Sequence, residues 1–372
     1  MLIVPHTLAL LTTYRCTAAC EHCCFSCSPK NEQEIPTERL HQYIEQATEI
    51  PSLRVVVFTG GECFLLGRRL DELVKAASDC HFFTRFVSNA YWATSRKTAR
   101  KRLETLKKSG LKEANYSTGE QHARFVGPEN VRHAAMAAAE LGLTSLVVVD
   151  SFGDSRFDFD AFVDEPEFKS FIEAGKVLIK VSPWMRFDGQ RRIAYTQEQL
   201  TQLRQQQAVG PGCSTVLKVI GVTPTQEMCV CCGLTLERIP EMWVGSLKER
   251  TIRQVLTEAP DDFIKIWLHL YGPSAVLRYA RKLDATIRDP GQHAHPCATC
   301  QYIYKNERLR ELVSQNPPPN MRDIVAQYAN SLVMPQAEDS SIKLTGQLLR
   351  GTGDINQIKQ VHRKTLFHPK EA

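Results

Sequence analysis

Residues 54–62, with the sequence RVVVFTGGE, form a short apolar run that ends in two glycines and an acid. A run of β-branched residues closed by glycine predicts a buried strand followed by a turn. Similar runs occupy residues 7–14, 82–88, 114–117, 145–150 and 176–181. From residue 54 onwards they begin at intervals of roughly thirty residues, which is the length of a strand–helix–strand unit.

Apolar residues recur at helical spacing between these runs. One stripe consists of Leu40, Tyr43, Ile44 and Ala47, and a second consists of Leu70, Leu73, Val74 and Ala77. Six strands that alternate with helices predict an α/β fold, with parallel strands curled into a partial (β/α)6 barrel like a TIM barrel. The right-handed crossover rule places the helices outside, and the loops after the strands are expected to carry the function.

Sequence composition predicts three parts in this chain. Residues 1–195 are expected to form the partial barrel, closed by a helix over Tyr195–Gln207, and the Pro211-Gly212 pair then marks a boundary. We expect a smaller, cysteine-bearing module within residues 196–305. Residues 306–372 are predicted to form a C-terminal helix and a polar tail.

The chain of 372 residues contains 13 cysteines, and 11 of them lie within residues 16–27, 213–232 and 297–300. In a reducing compartment such clusters indicate metal binding or catalysis rather than disulfides. The first residues lack the features of a signal peptide, and no apolar run approaches the roughly eighteen residues of a membrane span. We therefore expect a cytoplasmic protein without a membrane partner. The net charge of +5 argues only weakly for nucleic acid.

Residues 16–23, CTAACEHC, supply three thiols directly after the first predicted strand. Thiolates are the usual ligands of iron–sulfur clusters, and three of them leave one iron open to a further ligand. A zinc site is the alternative, with His22, Cys24 or Cys27 as the fourth ligand. Gly60 and Gly61 end the second strand and can bring the backbone close to a ligand.

The Cys-x3-Cys-x2-Cys spacing followed by Gly-Gly-Glu resembles the radical S-adenosylmethionine (SAM) superfamily. The resemblance implies a [4Fe–4S] cluster on Cys16, Cys20 and Cys23, with SAM bound to the open iron. A second register, Cys20–Cys24–Cys27, fits the same spacing. The first is preferred because Cys16 follows the strand and because His22 stands where the family usually has an aromatic residue. The resemblance also implies SAM contacts from His22, Gly60, Gly61, Glu62, Ser88, Asn89 and Ser117.

Weaker candidates follow the later strands. Glu120 and His122 lie in a stretch that looks like an altered form of a motif in some members of the superfamily. Trp184, after the sixth strand, is expected in the core, with packing against adenine as the alternative.

The later cysteines resemble the twitch module of radical SAM enzymes, a shortened relative of the SPASM module. This resemblance implies a second, auxiliary [4Fe–4S] cluster on Cys213, Cys229, Cys297 and Cys300. Cys231 and Cys232 lie beside Cys229, so either could replace it as the ligand. A zinc-ribbon-like site is the alternative interpretation of the same thiols.

The resemblance implies reductive cleavage of SAM and hydrogen abstraction by a 5′-deoxyadenosyl radical, with a peptide or natural product as the expected substrate. The electron donor is expected to be of the flavodoxin or ferredoxin type. A small-molecule rearrangement, or a methyl or aminocarboxypropyl transfer, is the alternative. A zinc-bearing nucleic-acid-binding protein is the alternative of another class, with the basic segment Arg96–Lys108 as its contact surface. On an outer barrel helix, that segment is more simply a solvated face.

Overall fold

The computed structural model describes residues 3–151, 155–185, 187, 195, 198, 200–201, 212–289, 294–333, 355–356 and 358–359. Its first six strands are β1 (Thr7–Leu11), β2 (Val55–Thr59), β3 (Phe83–Ser88), β4 (Glu113–Gly119), β5 (Thr144–Ser151) and β6 (Leu178–Pro183). Every pair of successive strands is parallel. The observed strands agree with the six predicted runs to within three residues at each end.

Helices connect these strands, as the alternating pattern predicts. They are α1 (Thr37–Ala47), α2 (Arg68–Asp79), α3 (Arg96–Lys108), α4 (Glu120–Ala123), α5 (Pro128–Glu140), α6 (Phe159–Val163) and α7 (Pro166–Glu173). Both predicted apolar stripes are fully buried in α1 and α2. Ser95 caps α3 by accepting a hydrogen bond from the Thr98 backbone N–H. This satisfies one of the donors that a helix start leaves unpaired.

The strands are buried on both faces, which explains why they appear in the sequence as continuous apolar runs. Leu8, Leu10 and Phe58 pack with the helices in the main core. Ala9 and Val57 belong to a separate buried cluster on the opposite face of the sheet. The sheet therefore has helices on one side and an inner face on the other, as in a partial barrel. The predicted fold class is confirmed.

Three more strands extend the same sheet: β7 (Val219–Val222), β8 (Glu227–Cys229) and β9 (Trp243–Ser246). β7 pairs in parallel with β1, and β8 and β9 follow in antiparallel order. The full order is β6-β5-β4-β3-β2-β1-β7-β8-β9, an open sheet rather than a closed ring among the described residues. The sequence predicts a separate small module here, whereas its first strand adds directly to the barrel sheet.

The remaining helices follow β9. They are α8 (Ile252–Glu258), α9 (Phe263–Tyr271), α10 (Pro273–Leu283), α11 (Pro296–Lys305), α12 (Glu307–Gln315) and α13 (Met321–Val333). The predicted helix after the proline run 317–319 corresponds to α13. Most of the predicted helix over Tyr195–Gln207, and most of the predicted polar tail, lie outside the described residues.

The basic segment Arg96–Lys108 forms α3 on the outside of the sheet. Two of its arginines pair with acids on neighbouring helices, Arg96 with Glu140 at 2.6 Å and Arg102 with Asp71. These ion pairs agree with the interpretation of the basic segment as a solvated outer face of the barrel. Within the described part of the chain, no helix is both long and apolar enough to span a membrane.

Candidate functional site

The cysteine-rich loop lies at the carboxyl end of β1 and is attached to the end of β2. The Gly61 N–H donates to the Thr13 carbonyl at 2.6 Å, and the Glu62 N–H donates to the Arg15 carbonyl at 2.9 Å. A Cβ atom added to Gly61 would lie 2.2 Å from the Arg15 carbonyl oxygen. Glycine is therefore needed here so that the two backbones can approach. The Gly-Gly-Glu turn fixes the start of the cysteine loop.

Above the carboxyl ends of the strands lies a cavity that unites most of the predicted site residues. Its walls include the five loop cysteines, Cys16, Cys20, Cys23, Cys24 and Cys27. The same cavity is lined by His22, Gly60, Gly61, Ser88, Asn89 and Ser117. Residues that lie far apart in sequence thus meet at one site, because the carboxyl ends of parallel strands share one edge of the sheet.

The thiols of the preferred triad lie near one another. Burial raises the pKa of Cys20, and the charges of Cys23 and Cys16 raise it further. The Asn89 side-chain amide points at the Cys16 sulfur, 3.6 Å away. The hydrogen bond from the Cys27 thiol lowers the pKa of Cys23 to about 6. Thiolates are the metal-binding form of cysteine, and Cys23 is the member of the triad whose surroundings favour that form.

Glu62 lies behind the cavity wall rather than in it. Its side chain is fully buried, and it accepts hydrogen bonds from the Phe64 N–H (3.0 Å), the Asn89 N–H (2.9 Å) and the Ser88 hydroxyl (3.0 and 3.1 Å). Burial raises the pKa of this carboxyl to about 7. In this structure Glu62 thus positions Ser88 and Asn89, both of which line the cavity. Its predicted contact with SAM stays a prediction.

Two histidines and an acid form the opposite wall. The Asp150 carboxylate lies 2.8 Å from Nδ1 of His122 and 3.7 Å from Nε2 of His22. Burial lowers the pKa of His22 to about 4, so its ring is neutral at pH 7. Burial also acts to lower the pKa of His122, but the hydrogen bond to Asp150 outweighs it, and this pKa is raised. The cavity therefore has a neutral His22 ring beside a His122 ring that Asp150 makes easier to protonate.

Sequence reasoning missed Asp150 and placed Trp184 in the core. The Trp184 ring lies 4.6 Å from the His22 ring, and its indole N–H donates to the His22 carbonyl at 3.0 Å. It lines the cavity, as does Asp150. Asp150 is the penultimate residue of β5, and an acid near the carboxyl end of a buried apolar strand was a signal that could have found it.

A second group of thiols lies beyond β8. Its members are Cys213, Cys231, Cys297 and Cys300. Burial raises the pKa of the Cys300 thiol, and the charges of the other three raise it further. Gly233 lies between two of the sulfurs: its N–H donates to the Cys231 sulfur at 3.1 Å, and an added Cβ would lie 2.9 Å from the Cys297 sulfur. This arrangement of four thiols fits the ligand set of a closed iron–sulfur cluster.

Cys231, rather than the predicted Cys229, lies with the other three thiols in the structure. Cys229 is fully buried at the end of β8, where its charged neighbours are Glu237 and Cys232. The hairpin has a bulge between Met228 and Cys229. Because a bulge changes the alternation of side chains along a strand, spacing alone does not show which cysteine faces the group.

The comparisons with known proteins agree with this geometry. Residues 10–149 match the Radical SAM superfamily. This matched stretch includes both the cysteine loop and the Gly-Gly-Glu turn, so residues 10–149 are similar to a superfamily whose members use a [4Fe–4S] cluster and SAM. It is also similar to the putative peptide biosynthesis protein YydG of Bacillus subtilis strain 168, with 28% identity over 127 residues. That match covers 34% of this chain and 40% of YydG, so it spans well under two thirds of the relative.

Two solved structures are among those to which the chain is similar. SuiB of Streptococcus suis, bound to S-adenosylmethionine, matches with a TM-score of 0.48 and 14% identity, over 73% of this chain and 67% of SuiB. The anSMEcpe protein, with bound S-adenosylmethionine and a Cp18Cys peptide, matches with a TM-score of 0.46 and 11% identity, over 84% of this chain and 99% of that one. Neither likeness bears on what this chain acts on.

Proposed function

We propose that this protein modifies a peptide by means of a 5′-deoxyadenosyl radical that abstracts hydrogen from a substrate C–H bond. The observation that carries the proposal is the single cavity in which three thiols, a glycine turn and polar strand ends face one another. The similarity to YydG, a protein named for peptide biosynthesis, supports a peptide as the substrate. A flavodoxin- or ferredoxin-type electron donor and a cytoplasmic location belong to the same proposal.

The residues present fit the cofactors. When bound, the cluster supplies the electron that splits SAM into methionine and the 5′-deoxyadenosyl radical. Cys16, Cys20 and Cys23 would hold the cluster, and their number leaves one iron for SAM. Ser88 and Asn89, held by Glu62, would orient SAM from the adjacent wall.

The opposite wall would shape the remaining space. His22 is held between Trp184 and Asp150, so its ring has little freedom to turn. The His122 ring, fixed by Asp150, would bind a hydrogen-bonding group of SAM or of the peptide. Burial of these groups excludes water, which strengthens such polar contacts.

Product analysis tests the reaction class. Protein reconstituted anaerobically and given dithionite and SAM should release 5′-deoxyadenosine even without a substrate. Complete cluster loading without this product would refute the proposal. S-adenosylhomocysteine as the product would instead indicate methyl transfer, and 5′-methylthioadenosine would indicate aminocarboxypropyl transfer.

We also propose that Cys213, Cys231, Cys297 and Cys300 bind an auxiliary [4Fe–4S] cluster. Two such clusters predict about eight irons per chain, four in each. Replacing the first triad together by alanine should leave about four irons and a cluster spectrum that SAM does not change. About four irons with one zinc in the wild type would make the second group a structural metal site instead.

A further inference from the structure

A groove runs beside the central cavity, between residues 156–158 and the helices α5 and α6. Its volume is about 490 Å³. Phe157 and the largely buried Phe162 line it, with ring centroids 5.7 Å apart. Arg132 and Arg156 border the same space. The groove therefore offers an apolar floor with guanidinium groups at its edge.

The two carboxylates that line this groove already accept hydrogen bonds from the protein. Glu120 accepts hydrogen bonds from the Arg156 backbone N–H at 2.7 Å and from the Arg124 side chain at 3.3 Å. Asp158 caps α6 by accepting from the Ala161 N–H at 2.9 Å.

Among the described residues, the guanidinium groups of Arg132 and Arg156 have no carboxylate partner. The Arg132 guanidinium lies over the Phe162 ring, 5.7 Å from its centroid. Across the residues that the structure describes, no carboxylate pairs with the side chain of Arg132 or Arg156. These two groups are therefore available to an external anion.

The short helix α4 separates the groove from the cavity. His122 lines the cavity, whereas Glu120, Ala123 and Arg124 line the groove. Arg124 also pairs with Glu21 of the cysteine loop at 3.5 Å, so the groove adjoins the mouth of the site. A helix is about 10 Å thick, and an extended chain covers about 3.3 Å per residue. About three residues of a peptide would therefore connect the two spaces.

We propose that this groove binds an acidic side chain of the peptide substrate, about three residues from the residue that reacts in the cavity. The proposal rests on the proposed function. A carboxylate suits the site because guanidinium groups bind it through paired, charge-assisted hydrogen bonds. The aromatic floor would contact the methylene groups of the same side chain. The groove would then select substrates and set which residue enters the cavity.

Fluorescence anisotropy with labelled heptapeptides tests this inference. The probes carry one valine and one glutamate three positions apart, in either order, in a glycine background, and matched probes carry glutamine instead. Against cluster-loaded protein with SAM, one glutamate probe should bind about tenfold tighter than its glutamine counterpart. Arg132→Gln and Arg156→Gln, made singly, should each reduce this preference. Arg156 is exposed, so its replacement disturbs no packing.

A matched control removes positive charge elsewhere. Lys101 and Lys108 lie exposed on α3, and the Lys101→Gln/Lys108→Gln variant should keep the full preference. The inference would be overturned if the glutamate and glutamine probes bound equally or if neither bound. It would also be overturned if both arginine variants kept the full preference or if the control variant lost it to the same extent. Release of 5′-deoxyadenosine by the wild type is measured separately. If the groove proposal fails while that product still forms, the proposed function stands.

Discussion

Replacing Glu62 by glutamine tests how the buried carboxylate organises the cavity wall. Each of its oxygens accepts a backbone N–H, one from Phe64 at 3.0 Å and one from Asn89 at 2.9 Å. Glutamine keeps only one acceptor oxygen, so its amide nitrogen must face one of these donors. A buried donor left without a partner costs about 1–3 kcal/mol. With a slope of about 3 kcal/mol per M, the urea midpoint should fall by about 0.3–1 M.

The same substitution should weaken SAM binding without loss of iron. Ser88 and Asn89 line the cavity and are held by Glu62, whereas no cluster cysteine depends on it for a hydrogen bond in the described structure. Urea unfolding, SAM titration and iron analysis measure the three quantities. Glu38→Gln, at an exposed position on α1, is the control and should change none of them. A wild-type midpoint together with wild-type SAM affinity in the Glu62 variant would refute the reasoning.

The loss of stability caused by Glu62→Gln should also depend on pH. Burial raises the pKa of Glu62 from its ordinary value of 4.5 to about 7. The stability that this group contributes is therefore present at low pH and is lost as the pH rises through about 7. Glutamine does not titrate, so the difference in stability between wild type and variant should shrink from pH 6 to pH 8. A difference that grows over this range would contradict the assignment.

Three further predictions concern the cysteines and the glycine beside them. Cys16→Ala should abolish SAM cleavage and Cys27→Ala should leave it largely intact, as measured by 5′-deoxyadenosine release; the reverse would favour the other register. Cys231→Ala should lower the iron content from about eight to about four, whereas Cys229→Ala should leave it unchanged. Equal losses in these two variants would remove the basis for preferring Cys231. Gly233→Ala should lower only the iron bound by the second group of thiols, because the added Cβ would lie 2.9 Å from the Cys297 sulfur. A full iron content in this variant would show that the loop can move aside.

The barrel could be predicted because its signals are local. Apolar runs at regular intervals define the six strands, and the stripe containing Leu40 and Tyr43 defines the inner face of α1. The position of the Gly-Gly-Glu turn at the end of β2 follows from the same pattern. Its physical role does not, because the close contact of Gly61 with Arg15 depends on how two distant segments meet.

The pairing of β7 with β1 and the position of Cys231 could not be predicted, because they depend on contacts between distant residues and on irregular backbone. No periodicity indicates that Val219 pairs with Thr7, because the two are separated by most of the chain. The place of Cys231 depends on the bulge before Cys229. The turn before that bulge has Gln226 at φ +63°, where a glycine would be expected. Its side chain accepts a hydrogen bond from Tyr43 at 2.9 Å, a tertiary contact that favours the turn.

The pairing of β7 with β1 has a consequence for folding and for truncation. β1 is apolar and buried apart from Thr7, yet its second neighbour is synthesised more than 200 residues later. Until then one edge of β1 has open backbone donors and acceptors that can pair with another chain. Folding that waits for such a distant partner is slow and prone to aggregation. A chain cut after β6 should therefore aggregate unless its exposed edge is covered, even though it would retain every residue of the first thiol group.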